Sequence, residues 1–190
     1  SRLQSSTPWA SSLRSACFAR LFHSRPLRAQ GTPPYRKHTG LISHAAATKP
    51  SMDIGRREIR EWHIAKGWAD IGYSLVIRRN GLLEAGRHVD DIGAHVAGHN
   101  STSVGICLVG GLYQDGTEAD DDFDGLYTKE QKSALVHTLH FYKALYPSAA
   151  ILGHRDLSPD KDMDGKIEKH EWLKTCPGFD VRAWCSRHGL

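Results

Sequence analysis

Residues 153–180 read GHRDLSPDKDMDGKIEKHEWLKTCPGFD and concentrate histidine, cysteine and acidic side chains, the residue types that bind metals, in one short stretch. His154 closes the apolar run 149–152, a position typical of the C-terminal end of a buried strand. Cys176 lies near the other end of the stretch, two residues after Lys174. An imidazole and a thiolate suit zinc. We therefore treat this stretch as the organising element of the fold.

A second metal-binding pattern, residues 160–171, lies between His154 and Cys176 and has the spacing of a calcium loop. The predicted ligands are the side chains of Asp160, Asp162, Asp164, Glu168 and Glu171 and the backbone carbonyl of Lys166, with Gly165 at the sharp turn. Residues 157–159 contain a proline where an incoming helix would lie, so only a short exit helix over 169–173 is expected. We predict one structural calcium ion. The alternative is a charged hairpin that faces solvent.

The composition is that of an ordinary globular domain, with 190 residues and 39% hydrophobic side chains. The positive charge is concentrated at one end of the chain. Residues 1–52 hold eight Lys or Arg and no acid, whereas residues 53–190 hold 17 basic and 21 acidic residues. A nucleic-acid binder more often carries its positive charge on the folded domain, and residues 53–190 have no basic excess. No specific nucleic-acid partner is therefore expected.

Cysteine usage and hydropathy narrow the class of protein further. Cys17, Cys107, Cys176 and Cys185 form no CxxC pair and no regular spacing, so a disulfide framework is not expected. Cys107 lies in an apolar run and is predicted to be a small core residue. No apolar run approaches the roughly 18 residues of a membrane span, so no span is expected. We expect a monomer.

Residues 1–36 are rich in Ser, Arg, Ala and Pro and follow neither helical nor strand periodicity. This composition predicts a basic, disordered arm or a non-native extension outside the fold, and it also fits a transit peptide. A secretory signal needs an uninterrupted apolar core, and Arg14, Arg20 and Arg25 break up the apolar residues of this segment. No secretory signal is therefore recognised. Residues 37–190 are then predicted to form one domain.

Strands alternate with helices along that domain. Strands are predicted before His44, at 73–79, 82–86 and 103–109, and before His154. Helices are predicted at 56–66, from a capping box of Thr128 and Gln131 to about 146, and from a cap at Asp180 to about 187. Asn80-Gly81 predicts a two-residue hairpin turn. Residues 93–100 are predicted to form a loop rich in Gly and His, and the acidic run 118–124 a solvated loop. Together these elements predict an α/β fold with a mixed sheet flanked by helices.

Two histidines stand out because each ends a predicted strand. Side chains at such positions can converge on one cleft, which makes His44 and His154 candidate ligands. With Cys176 they would provide three protein ligands and leave a fourth position for water, as in catalytic zinc sites. His95 and His99 are rival ligands and stronger candidates for substrate contacts. Asn100, at the end of the same loop, is also predicted to contact substrate.

A series of motifs in the same order resembles a known family. The motifs are ATKP after His44, EIREWH (58–63), GWADIGY (67–73), IRRNG (77–81), GAHVAGHN (93–100), SVGICLVGG (103–111), GHRD (153–156) and CPGFD (176–180). They resemble the type-2 N-acetylmuramoyl-L-alanine amidases, most of all phage and prophage endolysins, and more distantly the peptidoglycan recognition proteins. The resemblance runs from about residue 41 to residue 184.

The resemblance implies a fold and a set of roles. The family fold is a central mixed sheet with helices on both sides and zinc in a surface groove. His44, His154 and Cys176 are implied as zinc ligands, and Tyr73 and Lys174 as catalytic side chains. Without the resemblance, Tyr73 would be taken as a core aromatic residue and Lys174 as a solvated lysine.

Two positions depart from the family pattern. Ser74 stands where phage members often have His. The strand predicted before the first ligand is confined to residues 39–43, whereas the family usually has a longer apolar strand there. Neither departure removes a predicted ligand or catalytic side chain. We expect the first to alter contacts in the groove and the second to weaken the first strand.

The implied activity is hydrolysis of the amide bond between N-acetylmuramic acid and L-alanine in bacterial peptidoglycan, as in an endolysin that lyses bacteria. Such a protein would stay in the cytoplasm of the host bacterium until it is released to the wall. The alternative is a module that binds muropeptides without cutting them. Retention of Cys176 argues against that alternative, because loss of the thiolate would leave the metal site incomplete.

Overall fold

A mixed five-stranded sheet runs through the computed structural model, which describes residues 36–190. The strands are β1 (Gly40–Ala45), β2 (Leu75–Ile77), β3 (Leu83–Ala85), β4 (Ser103–Leu108) and β5 (Ala150–Gly153). Their order across the sheet is β3-β2-β4-β1-β5. All neighbours are parallel except β2 and β3, which are antiparallel. The predicted mixed sheet is confirmed, with β4 at its centre.

Four helices flank this sheet in the described part of the chain. They are α1 (Arg56–Ala65), α2 (Phe123–Leu126), α3 (Lys129–Leu145) and α4 (Val181–Arg187), and short 3₁₀ turns span His154–Leu157 and Lys169–Glu171. The predicted capping box begins α3: Gln131 N donates to Thr128 Oγ1 and Thr128 N to Gln131 Oε1, both at 3.1 Å. Asp180 caps α4 by accepting from Ala183 N at 2.9 Å.

One part of the core joins Ile59 of α1 to Val76 and Cys107 of the sheet, and α3 packs an apolar face against β2. All of β4 is buried, and Cys107 within it is 0% exposed, as predicted for a core residue. Leu135, Leu139 and Tyr142 form the buried face of α3. The buried Gln131 amide donates to the carbonyl of Val109 at 2.7 Å, so the start of α3 is fastened to the end of the central strand.

The first strand is intact despite the short apolar run before His44. Leu41 and Ile42 are at most 1% exposed. β1 pairs over all six residues with β4 and over four with β5, so hydrogen bonds on both edges hold it in place. The expected weakness of this strand is therefore not found.

The predicted two-residue hairpin turn is wrong. Arg78 N donates to Leu82 O at 2.9 Å and Gly81 N donates to Arg78 O at 2.8 Å, which makes a three-residue loop over 79–81. Gly81 has φ +80°, the left-handed conformation that follows a turn in such loops. Asn80 Oδ1 accepts from Leu82 N at 3.0 Å, and this side-chain bond favours the longer loop.

Two further local predictions need correction. The strand before His154 was expected to be buried, but β5 is an edge strand with Ala150 exposed and Ile151 only partly buried. It is protected on one side because α4 packs against it. The acidic run 118–124 is not wholly a solvated loop, because Phe123 is buried and begins α2.

The predicted arm, residues 1–36, lies outside the described residues except for Arg36. The backbone N–H of Arg36 donates to Asp90 Oδ1 at 2.9 Å. No helix within residues 36–190 combines the length and the apolar character needed to cross a bilayer.

Candidate metal centre and active site

Parallel strand pairing brings His44 and His154 together. His44 is the fifth residue of β1 and is 1% exposed. β5 lies beside β1 with Gly153 opposite Ser43, so His154 follows directly beside His44. Their ring centroids are 4.8 Å apart. The carboxyl ends of adjacent parallel strands meet at one edge of the sheet, which is the geometry expected from the sequence.

Cys176 is held beside these histidines by two backbone contacts. Its Sγ accepts a hydrogen bond of 3.2 Å from the N–H of Ala45, and its carbonyl accepts one of 3.0 Å from the N–H of Arg155. Ala45 and Arg155 are the residues that follow the two histidines. His44, His154 and Cys176 each offer one ligand atom, and these three atoms lie within 4.8 Å of one another.

The protonation states of this cluster suit metal binding. Burial lowers the pKa of His44 well below its ordinary value and that of His154 to about 4, so both imidazoles are neutral near pH 7. Burial also raises the pKa of the Cys176 thiol to about 11. A bound cation would favour the thiolate and displace the proton. Two neutral imidazoles and a thiolate form a donor set compatible with a metal site.

Tyr73 and Lys174 lie next to the cluster. The Tyr73 ring centroid is 5.2 Å from that of His44. Burial, together with Cys107 and Cys176, raises the pKa of the phenol well above its ordinary value, so it keeps its proton. Lys174 is exposed, and its positive charge contributes to the lowered pKa of both histidines. A proton donor and a cation therefore flank the candidate metal position.

These side chains open into a surface groove with a volume of about 540 Å³. Tyr73, His154, Lys174 and Cys176 line it, whereas the buried His44 is not among the lining residues. Trp62 from α1 and Trp68 from the following turn form part of the lining and are about 40% exposed. Flat aromatic faces of this kind can pack against apolar parts of a ligand.

The groove contains residues that the sequence did not identify. Glu118 and Thr175 both line it, and Thr175 Oγ1 donates to Glu118 Oε2 at 2.5 Å. Glu118 was assigned to a solvated loop because its neighbours are acidic. The two residues are 57 positions apart, and no sequence pattern links them.

The loop 93–100 contributes one of its three predicted substrate contacts to the groove. His95 lines the groove, is 8% exposed and lies with Nδ1 2.9 Å from His44 Nε2. Burial lowers its pKa to about 4. Asn100 turns inward, and its Oδ1 accepts from the N–H groups of His95 and Val96 at 2.8 and 2.9 Å. His99 is exposed, and neither it nor Asn100 lines the groove.

The predicted calcium loop brings its acidic side chains together. Carboxylate oxygens of Asp160, Asp162 and Glu171 lie within 4.8 Å of one another. Gly165 has φ +85°, and its N–H donates to Asp160 Oδ2 at 2.9 Å. Asp160 Oδ1 is buried without a hydrogen-bond partner.

The last carboxylate of this loop is fully buried. Glu171 accepts from the N–H groups of Lys161 at 2.5 Å and Glu168 at 3.0 Å, and these donors lower its pKa. Ser158 Oγ accepts from Leu173 N at 3.1 Å, which closes the base of the loop one residue before Lys174. The predicted exit helix is reduced to the 3₁₀ turn Lys169–Glu171.

Comparison with known proteins assigns the chain to a class. The family described as N-acetylmuramoyl-L-alanine amidase matches residues 34–179, and the chain belongs to this family. It is 45% identical to the endolysin of Enterobacteria phage K11 over 141 aligned residues. The alignment covers 74% of this chain and 81% of that protein. The resemblance drawn from the motifs and the amidase activity that it implies are thereby confirmed.

Solved structures support the fold. The endolysin amidase LysCS from Clostridium intestinale URNW has a TM-score of 0.59 at 18% identity, covering 87% of this chain and 93% of that chain. Drosophila PGRP-LB has a TM-score of 0.57 at 26% identity, covering 80% and 81%. The central mixed sheet with flanking helices is therefore shared with endolysin amidases and with a peptidoglycan recognition protein.

Proposed function

We propose that this protein is a zinc-dependent endolysin that hydrolyses the amide bond between N-acetylmuramic acid and L-alanine in bacterial peptidoglycan. The observation that carries the proposal is the convergence of two neutral imidazoles and a thiol on one point beside an open groove. His44, His154 and Cys176 would hold the ion, and their nitrogen and sulfur donors fit zinc better than calcium or magnesium. The chemistry that zinc supplies there is Lewis-acid activation of the amide carbonyl and of water.

Lys174 and Tyr73 are the proposed catalytic side chains. Negative charge develops on the carbonyl oxygen when an amide is attacked, and the Lys174 ammonium at the groove can stabilise it. The protonated Tyr73 phenol can donate a hydrogen bond to the same oxygen or pass a proton to the leaving amine. His95, His99 and Asn100 remain proposed substrate contacts, with only His95 on the groove wall.

Release of new amino groups from peptidoglycan tests this activity. Purified protein with zinc bound should free the amino group of L-alanine, and the Cys176→Ser variant at equal concentration should not. Absence of release by the zinc-loaded wild type would favour the second candidate, a module that binds muropeptides without cutting them. That candidate has some support in the fold shared with PGRP-LB, whereas the complete His-His-Cys set favours the enzyme.

Residues 160–171 would bind one calcium ion with a structural role. The supporting observations are the buried Asp160 oxygen without a partner and the turn at Gly165. The proposed ligands are Asp160, Asp162, Asp164, Glu168 and Glu171 through their side chains and Lys166 through its carbonyl. The loop ends just before Lys174 and Cys176, so the ion would help to hold both residues in place.

The domain, partners and location follow from this function. Residues 37–190 would form the amidase domain, with bacterial peptidoglycan as the partner and the protein acting as a monomer. The protein would remain in the cytoplasm of the host bacterium until it is released to the cell wall. The phage endolysin relatives support this location.

A further inference from the structure

We propose that His95 is a positioning residue for the metal site, which orients the ligand His44 by accepting a hydrogen bond from its Nε2–H. This inference rests on the proposed metal-binding role of His44. In this role the His95 ring supports the site from the groove wall and does not bind the metal itself. Residues that orient a metal-bound imidazole from its far side commonly set its tautomer and its basicity.

The distance between the two rings is that of a hydrogen bond. His44 Nε2 and His95 Nδ1 are 2.9 Å apart, and the ring planes meet at 87°. Two nitrogens bound to one tetrahedral zinc at about 2.0–2.1 Å would be separated by roughly 3.3 Å. A 2.9 Å separation lies within the normal range for a hydrogen bond to nitrogen. Because both rings are at least nine-tenths buried, water does not compete strongly for this contact.

The contacts of Ser103 with His95 and with the carbonyl of His99 determine which ring donates in this hydrogen bond. Ser103 Oγ donates to the carbonyl of His99 at 2.7 Å, so its hydrogen is already used. The same oxygen lies 3.4 Å from His95 Nε2 and can only accept there.

His95 therefore carries its hydrogen on Nε2 and presents a lone pair on Nδ1. His44 must then carry its hydrogen on Nε2, which leaves the lone pair of its Nδ1 for a metal. The chain of donors thus runs in one direction, from His44 through His95 and Ser103 to the carbonyl of His99.

The position of the His95 ring is built into the sheet. Gly105 lies in the middle of β4, opposite Ile42 of β1, and a Cβ there would lie 2.7 Å from His95 Cγ and Cδ2. A Cβ at Gly93 would also lie 2.7 Å from His95 Cδ2. Two glycines thus leave a slot for the imidazole, one of them inside a strand, where glycine often marks such a close approach. The side-chain oxygen of Asn100 accepts a hydrogen bond from the backbone N–H of His95 at 2.8 Å, which also holds this residue in place.

Zinc affinity measured by competition with a chromophoric chelator tests the role of His95 without reference to amidase activity. The His95→Ala variant should bind zinc about 10–100-fold more weakly than the wild type, the range typical for loss of such a partner. The His95→Asn variant should recover most of the affinity, because the Asn side-chain oxygen can accept at the place of Nδ1.

The outcomes separate this inference from the proposed function. Equal affinity in wild type and His95→Ala would overturn the positioning role and leave the zinc enzyme standing. An Asn variant as weak as the Ala variant would also overturn it, since the ring would then act as packing or as a ligand. Failure of the wild type to bind zinc would remove the proposed metal role of His44 and the inference with it.

A double-mutant cycle at Gly105 provides a test with the His95 side chain still present. The three atoms nearest to a Cβ at Gly105 all belong to His95, so Gly105→Ala should displace this ring. We expect Gly105→Ala to weaken zinc binding in the wild-type background and to have little effect in the His95→Ala background. Equal losses in both backgrounds would contradict the inference, because the methyl group would then act through some other contact.

Discussion

The backbone N–H of Arg155 donates a hydrogen bond of 3.0 Å to the carbonyl of Cys176. Arg155 directly follows His154, so this single bond joins the segments that carry the second and third candidate ligands. The Arg155 side chain is 4% exposed, lies 4.1 Å above the Trp172 ring and donates to the carbonyl of Asp120. A buried guanidinium therefore holds the segment 153–180 against the rest of the domain.

Replacing Arg155 should loosen this segment. In Arg155→Met the apolar volume is largely kept, but the Asp120 carbonyl loses its charged donor and Asp180 loses its ion pair at 4.0 Å. We expect the free energy of unfolding to fall by about 1.5–3 kcal/mol, as for loss of a hydrogen bond to a charged group. Urea unfolding measures this change. A loss below about 0.5 kcal/mol would show that the buried guanidinium does not hold the segment.

Arg182→Met is the matched control for Arg155→Met. Its side chain is 67% exposed and lies 4.0 Å from Asp156 in a surface ion pair. Such pairs contribute about 0–1 kcal/mol. The control should therefore unfold at nearly the same urea concentration as the wild type.

Lys174→Ala should separate catalysis from metal binding. The ammonium is at the groove but is not a ligand, so the variant should keep its zinc and lose a factor of about 10² or more in turnover. Zinc content and amide hydrolysis are measured on the same preparation, with the exposed Lys129→Ala as a control. Loss of zinc from Lys174→Ala would show that our division of roles is wrong.

The metal-free protein should lose stability in acid. Burial holds the pKa of His95 and His154 at about 4, below the ordinary 6.5. Between these values the unfolded chain binds protons that the folded chain does not, so stability falls as the pH drops from 6.5 towards 4. Urea midpoints of metal-free protein measure this fall, and His95→Asn should reduce its slope. A midpoint that stays constant over this interval would contradict the account.

Calcium should raise the melting temperature at saturating zinc. An ion present at 100 times its Kd stabilises the folded state by about 2.7 kcal/mol, which corresponds to roughly 5–10 °C for a domain of this size. Asp160→Ala and Glu171→Gln should abolish the shift, and Asp124→Asn, outside the loop, should keep it. An unchanged melting temperature in the wild type would refute the calcium site.

The parts of the site that follow from local pattern were predictable from the sequence. His44 lies one residue before the end of β1 and His154 directly follows β5, and parallel pairing then brings them together. Cys176 was proposed as the third ligand because a thiolate suits zinc. Tyr73 and Lys174 were identified by resemblance, since nothing in their own neighbourhood distinguishes them from core or surface residues. The capping box at Thr128 and the cap at Asp180 are local hydrogen bonds, and both are present as predicted.

Contacts between distant segments could not be predicted in this way. The slot at Gly105 for His95 depends on how a loop folds back on the central strand. The Glu118–Thr175 pair joins two loops that become neighbours only in the folded chain. The hairpin prediction failed for a different reason. Asn-Gly permits both two-residue and three-residue loops, and the Asn80 side-chain bond to Leu82 favours the longer one.

Zinc titration of the metal-free enzyme tests the central claim most directly. Protein stripped with a chelator should release no L-alanine amino groups from peptidoglycan. Activity should return in proportion to added zinc and level off at about one equivalent, because three ligands form one site. Cys176→Ser and His154→Ala should neither retain zinc nor recover activity. Full hydrolysis by the stripped wild type, or by either ligand variant, would contradict the account.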